Sequence, residues 1–267
     1  MSAPFDLEAG TREFYRDAQY YDFEYKNRTG DVGFYVERYL EAGDVLELAV
    51  GSGRIAARAV RKGARVVGLD LSTTMLAQAE RRRSLLPNRL QSHFTLMQAD
   101  MRTFDLGRTF PLIACPFNAF QHLYTREDVE QCLASVLRHL EPGGQFIVDV
   151  LLPDVEFLSR PPLRWFASTR FKHPTHNAWY GYAERSAWDP VGQINQIWFR
   201  FDREPGETWG PEQETHQLSH RYFSPPELEA LLHYNGFKLA ACLGDFEGGP
   251  LTSTSESIIA IARRKGE

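Results

Sequence analysis

The chain has 267 residues, 43% of them hydrophobic and 24% charged, with a formal net charge of −5. This is ordinary globular composition, long enough to bury most of its apolar surface without a disulfide or metal staple. The acidic balance speaks against nucleic acid as a partner, no apolar run reaches the ~20 residues of a membrane span, and "MSAPFDLEAG" lacks a signal peptide's basic end and apolar core.

The first segment, "REFYRDAQYYDFEYKNRTGDVGFYVERYL", concentrates aromatic residues and is expected to form a helical lid over 1–42. Asp44 to Leu48 follows as a short apolar strand, then glycines, then a helix over "RIAARAVRKG" that Gly63 stops. "ARVVGLD" is a buried strand, and Ser72 can cap the next helix, which Pro87 closes. "HFTLMQAD" and "FPLIACPF" read as the third and fourth strands. "TREDVEQCLASVLRHL" is a helix opened by a capping box of Thr125 with Asp128, and "EPGG" turns into a fifth strand, "QFIVDVL".

From Arg164 to Tyr222 the pattern changes to short aromatic alternating runs separated by "DPVG" and "EPGE", read as an antiparallel insert. Ser224 and Pro225 start a last helix that Gly236 ends, and two strands, "FKLAACLGDF" and "SESIIAIARRK", finish the chain. Alternating strands and helices predict an α/β fold: a doubly wound, mostly parallel, seven-stranded Rossmann-like sheet with helices on both faces and an antiparallel insert after the fifth strand. The expected division is a lid at 1–42, a core at 43–158, an insert at 159–222 that covers an acceptor or makes a dimer contact, and a return to the core at 223–267. Cys115, Cys132 and Cys242 are too scattered for a disulfide framework or a zinc pattern, which implies a reducing, cytoplasmic setting.

The stretch "VLELAVGSGRIA" carries the ligand question. Gly51 and Gly53 let a ligand approach the backbone, because no Cβ intervenes. Asp70 ends the second strand roughly 20 residues on, where a carboxylate accepts hydrogen bonds from ribose hydroxyls. NAD and an adenosine-type cofactor fit both features equally. Glu47 separates them, since a carboxylate repels a pyrophosphate and attracts an ammonium. S-adenosylmethionine, with an amino group, a sulfonium and no phosphate, is therefore the expected cofactor, with S-adenosylhomocysteine as product. The bland alternative is a tight turn with a buried acid and no ligand.

The order E-x-A-x-G-x-G, with Asp70 after it, resembles motif I of the class I S-adenosylmethionine-dependent methyltransferases, except that Ala49 stands where the family more often has glycine. "MQADMRTFDL" resembles the family's segment after the third strand, which implies that Asp100 receives the adenine amino group beside Met101. A plain strand-end turn is the competing account of Asp100. The resemblance implies cofactor contacts at Glu47, Ala49, Gly51, Gly53, Arg54, Asp70, Leu71, Met75, Asp100, Met101 and Phe117.

"CPFNAFQHL" lacks the Asn/Asp-Pro-Pro-aromatic motif of enzymes that methylate base amino groups. It resembles the same region of small-molecule N-methyltransferases, such as the glycine/sarcosine enzymes and the TDP-aminosugar N,N-dimethyltransferases. That implies a small-molecule acceptor methylated on nitrogen ahead of oxygen. "YYD" resembles the Tyr-Asp of these enzymes and implies a cofactor contact for Tyr21. Phe14, Tyr15, Tyr35 and Asn118 are candidates for the acceptor pocket, with simple aromatic packing as the competing account. Methyl transfer is an in-line displacement that needs alignment and a water-poor cavity, and an amine must lose a proton. His122 is the candidate base, against the plainer role of bonding backbone. A silent cofactor-binding partner and a protein or peptide methyltransferase are the alternative readings.

Other features read as bland. Arg81, Arg82 and Arg83 form a solvated helix end. His173 and His176 have metal-like spacing, but Pro174 breaks any helix and no partner ligands can be placed, so no metal is expected. Trp165, Trp179, Trp188 and Trp198 are expected in the core of the insert ahead of a pocket lining.

Overall fold

The computed structural model describes residues 5–266. In chain order, α1 (Leu7–Arg12), α2 (Ala18–Glu24) and α3 (Gly30–Ala42) precede β1 (Asp44–Leu48), α4 (Ala56–Arg61), β2 (Arg65–Asp70), α5 (Thr73–Ser84), α6 (Asn88–Gln91), β3 (Phe94–Gln98) and β4 (Phe110–Cys115). A 3-10 turn over Ala119–His122 leads into α7 (Arg126–His139), β5 (Leu140–Leu151) and α8 (Val155–Leu158). Then come β6 (Phe166–Lys172), β7 (Trp179–Asp189), β8 (Ile194–Arg203), β9 (Gln213–Arg221), α9 (Pro225–Tyr234), β10 (Phe237–Leu243) and β11 (Ser257–Arg264). The expected caps are present. Ser72 Oγ accepts from the Met75 amide at 3.3 Å, Thr125 and Asp128 close their box reciprocally, and Ser224 caps α9 with proline in its first turn.

The chain forms two compact units, residues 28–152 with 223–267, and residues 1–27 with 153–222. The first 42 residues are thus divided: α1 and α2 group with the insert, α3 with the core. Among the described residues no helix is long and apolar enough to cross a membrane.

The larger unit holds a seven-stranded sheet in the order β10-β11-β5-β4-β1-β2-β3. β3, β2, β1, β4 and β5 run parallel, while β11 is antiparallel to both of its neighbours. The order reverses between β1 and β4, and in such sheets ligands lie beyond the carboxyl ends of the strands at that switch. α7 buries Val129, Cys132, Leu133 and Val136, the stripe that a 3.6-residue period puts on one face. β5 is longer than expected and starts at Leu140. "EPGG" stays within it as a bulge, with Gly143 at φ +75° and the β4 register jumping between Phe110 and Leu112.

The smaller unit is a four-stranded antiparallel sheet, β6-β7-β8-β9, with α1 against β9. Gly10 permits that approach, since a Cβ there would lie 1.8 Å from Ser219 Oγ. Its core is Tyr20, Tyr180, Phe199 and Phe201, and the tryptophans are not in it. Trp179 is 40% exposed, and Trp165, Trp188 and Trp198 are half-buried. The reason is strand alternation: Tyr180, Ile197 and Phe199 take the inner face, so Trp179 and Trp198 point to the other. There Arg185 lies over the rings of Trp165 and Trp198, at 4.9 and 4.6 Å.

Candidate functional site

Most of the candidate ligand contacts in the larger unit follow the carboxyl ends of β1, β2, β3 and β4, while Tyr35 lies on α3 and Met75 on α5. β1 delivers a loop in which Ala49, Gly51 and Gly53 all take left-handed backbone angles, φ +51°, +57° and +76°. Glycine adopts these freely, whereas alanine pays roughly 1–2 kcal/mol. At Gly53 space is short as well, since a Cβ would meet Phe94 at 3.1 Å and Ala79 at 3.2 Å. Gly68 of β2 matters too, for a Cβ there would lie 2.7 Å from Val50.

Asp70 braces this loop. Its Oδ2 accepts from the Gly51 amide at 2.7 Å and its Oδ1 from the Ser72 amide at 2.8 Å. Burial raises its pKa and the backbone donors oppose that. A carboxylate offers about four lone-pair positions, so acceptor capacity remains on both oxygens. Leu71 beside it is 48% exposed, an apolar surface at the mouth of the loop, and Met75 is buried beneath Gly51.

Glu47 is 2% exposed, and its Oε2 has no hydrogen-bond partner among the described residues. Burial pushes its pKa up to about 8; Tyr39 and Arg54 pull it down, and Asp31 and Asp70 push it up again. The Arg54 guanidinium is already matched, because it is bound bidentately by the buried Asp31, with Nη1 to Oδ1 at 3.0 Å. The guanidinium also lies 4.6 Å from the Phe117 ring centroid, with Arg28 at 4.9 Å from it. The Glu47 carboxyl therefore lies buried among these charged groups with one oxygen that no described residue partners.

β4 ends in a second strained turn. Phe117 and Asn118 are both left-handed, at φ +61° and +60°. Asp149 of β5 holds them: its Oδ1 accepts from the Phe117 amide at 2.8 Å and from the Tyr35 hydroxyl at 2.5 Å, and its Oδ2 accepts from the Asn118 amide at 3.1 Å. Burial raises the Asp149 pKa to about 6, against the pull of these donors. Asn118 is buried, and its Oδ1 has no hydrogen-bond partner among the described residues. Sequence reasoning missed Asp149. The available signal was a lone acid inside "QFIVDVL", because a charge in an otherwise apolar central strand must have partners.

Two marked residues sit in other networks. Asp100 is folded onto its own turn, accepting from the Arg102 amide at 2.9 Å and from the Arg102 guanidinium, which also reaches Asp128 at 2.6 Å. Arg102 holds the Asp100 pKa down against burial, and Met101 packs on the core. His122 ends the 3-10 turn, with Nδ1 3.2 Å from the Tyr124 hydroxyl. Burial lowers its pKa to about 4, so the imidazole is neutral at physiological pH.

The structure thus gathers Glu47, Ala49, Gly51, Gly53, Arg54, Asp70, Leu71, Met75, Asp100, Met101, Phe117, Asn118, His122 and Tyr35 in one unit. Phe14, Tyr15 and Tyr21 belong to the other. There Phe14 packs on Tyr21 at 6.4 Å and on Phe199 at 4.9 Å, and Tyr15 on Tyr21 at 5.8 Å.

Comparison with known proteins bears on this site. Residues 45–144 match a family described as a methyltransferase domain. A dTDP-3-amino-3,4,6-trideoxy-alpha-D-glucopyranose N,N-dimethyltransferase of Streptomyces venezuelae is 35% identical over 127 residues, 47% of this chain. The match spans only half of that relative's length (50%). A putative methyltransferase of Bacillus subtilis, YqeM, is 29% identical over 227 residues, covering 84% of this chain and 85% of its own. The crystal structure of an S-adenosylmethionine-dependent methyltransferase from Clostridium acetobutylicum superposes with a TM-score of 0.75 at 20% identity, over 93% of this chain and 98% of that one. This last likeness is one of fold.

Proposed function

We propose, on the premise that residues 45–144 belong to the methyltransferase-domain family, that this protein binds S-adenosylmethionine beyond β1 and β2 and transfers its methyl group to a nitrogen of a small-molecule acceptor. The observation that carries the reading is Glu47, a buried carboxyl with an unpartnered oxygen that can ionise against a bound cation. Such a group suits a ligand with a fixed or titratable positive charge and opposes a pyrophosphate.

The remaining residues fit the same ligand. Asp70 keeps lone pairs for the ribose hydroxyls while it braces the Gly51 amide. Leu71, exposed beside Asp70, offers an apolar surface for the nucleoside. The bound cofactor would supply an electrophilic methyl on its sulfonium. The chain must then align an acceptor lone pair with that methyl and keep water out. Asn118 Oδ1, buried and unpartnered beside the Asp149 clamp on its own amide, is the acceptor atom we assign to an N–H of the acceptor. His122, held neutral with a pKa of about 4, is too weak a base to keep a proton near pH 7 and can only pass one from the amine to solvent. The free thiols Cys115, Cys132 and Cys242 agree with a reducing, cytoplasmic compartment.

The acceptor class follows the Streptomyces venezuelae relative, whose name assigns it the N,N-dimethylation of a nucleotide-linked aminosugar. The test is a panel of amines and alcohols, including nucleotide-linked aminosugars and glycine, read as S-adenosylhomocysteine release, beside calorimetry with S-adenosylmethionine and NAD. Binding of the sulfonium compound alone, with turnover confined to amines, is expected. NAD binding without S-adenosylmethionine binding would overturn the cofactor, and turnover on alcohols alone would overturn the acceptor atom.

A further inference from the structure

The smaller unit carries a second cluster of chemically active side chains. "KHPTHN" closes on itself, because the His173 amide donates to the Ala178 carbonyl and the Asn177 amide to the His173 carbonyl, both at 2.8 Å, with Asn177 at φ +55°. The turn brings the His173 and His176 rings to 4.4 Å at an interplanar angle of 30°. His173 is 1% exposed and carries the Tyr20 ring against it at 5.3 Å. Gly210 packs on the turn so closely that a Cβ there would lie 2.8 Å from His176 Cβ.

β9 supplies what the sequence could not place. Glu214 and His216, two residues apart, share one face of that strand. Glu214 Oε1 lies 3.1 Å from His176 Nε2, and its Oε2 lies 3.6 Å from His216 Nε2. One donor atom from each of His173, His176 and Glu214 falls within 4.8 Å of the others. We propose that His173, His176 and Glu214 form a binding site for a divalent transition cation of the zinc type, with His216 as the fourth donor.

The chemistry of the donor set selects the ion. Imidazole nitrogens with one carboxylate oxygen suit zinc and its neighbours, and not calcium or magnesium, which take oxygen ligands. Zinc–ligand bonds of roughly 2.0–2.2 Å in a tetrahedron place ligand atoms about 3.3 Å apart. The contacts at 3.1 and 3.6 Å bracket that spacing, and side-chain rotation draws in the widest pair. The contacts given up are the His176 Nε2–Glu214 Oε1 hydrogen bond at 3.1 Å, which two bonds to the ion replace, and the long contact of the Thr175 amide to His173 Nδ1 at 3.3 Å. A bound cation would pin the 173–178 turn to β9.

The experiment uses the full chain, stripped with a chelator and titrated with Zn²⁺ against a chromogenic competitor, with Co²⁺ as a spectroscopic probe. One ion per chain, a rise in Tm with Zn²⁺, and a tetrahedral Co²⁺ spectrum without a thiolate charge-transfer band are expected. His176→Ala and Glu214→Gln should each weaken binding at least about tenfold, with circular dichroism as the check that each is folded, and Cys242→Ser should leave binding unchanged. Stoichiometry well below one, a thiolate band lost in Cys242→Ser, or wild-type affinity in folded Glu214→Gln would overturn the site.

Discussion

Replacing Glu47 by Gln tests the electrostatic basis of the proposed cofactor site and should make the protein more stable and worse at binding. In the unfolded chain a glutamic acid loses its proton near pH 4.5, whereas in the fold Glu47 keeps its proton up to about 8. Between those values the folded state binds the extra proton, so its stability falls as pH rises and the penalty is complete above about 8. At about 1.4 kcal/mol per pKa unit, the penalty is about 3 kcal/mol at pH 7 and about 5 above pH 8. Glutamine has the same shape and no charge to bury, so Glu47→Gln should gain up to about 3 kcal/mol at pH 7 and nothing near pH 4.5. Urea denaturation of both proteins without cofactor, across that pH range, measures this directly. The same variant should bind S-adenosylmethionine at least about tenfold more weakly, because a hydrogen bond to a charged group is worth roughly 1.5–3 kcal/mol. Wild-type binding should also release a proton, seen calorimetrically as a dependence of the heat on buffer, and the variant should not. A variant no more stable than wild type at pH 8, or one that binds the cofactor undiminished, refutes the reasoning.

Asp149→Asn removes charge from three donors at once and should cost about 2 kcal/mol in urea denaturation, with initial rates lowered more than cofactor affinity. Tyr35→Phe leaves both amide bonds to Asp149 and should cost about 1 kcal/mol. At Ala49 the left-handed penalty of roughly 1–2 kcal/mol exceeds the chain-entropy loss of glycine, so Ala49→Gly should raise stability by about 0.5–1 kcal/mol at unchanged cofactor affinity. His122, with a pKa of about 4, should contribute no inflection to the rate between pH 6 and 8. A wild-type inflection near 6.5 that vanishes in His122→Gln would show that burial does not hold it neutral.

The fold was legible wherever periodicity and caps agreed. α7 announces itself by Thr125 and Asp128 at one end and an apolar stripe along its length, and both are in place. Strands such as "FPLIAC" read clearly because a buried parallel strand is apolar on both faces. The insert was legible as a sheet, but not in the facing of its tryptophans: the inner face went to Tyr180, Phe199 and Phe201, a choice between two phases of one alternation that local sequence leaves open. In the site, Glu47 and the glycines were readable because their spacing is local. Asp149 acts on residues more than thirty positions away, and His176 meets Glu214 only once strands have paired. Long-range partners of this kind appear only when the sheet order is known.

The left-handed non-glycine residues of the larger unit are not scattered. Ala49 is left-handed after β1, Phe117 and Asn118 are left-handed after β4, and Glu47 and Asn118 each bury an unpartnered oxygen between them. β1 and β4 are neighbours, and the order of the sheet reverses there. A strained turn persists only where its surroundings over-determine it, and here two acids do so, the half-buried Asp70 through the Gly51 amide and the buried Asp149 through those of Phe117 and Asn118. If these groups served stability alone, a plain turn and an apolar residue at 47 would serve it better. Their concentration at the crevice where such a sheet receives ligands argues that strain and unpartnered oxygens are kept for a bound state, and under the proposed function a cation would meet Glu47 and an acceptor N–H would meet Asn118.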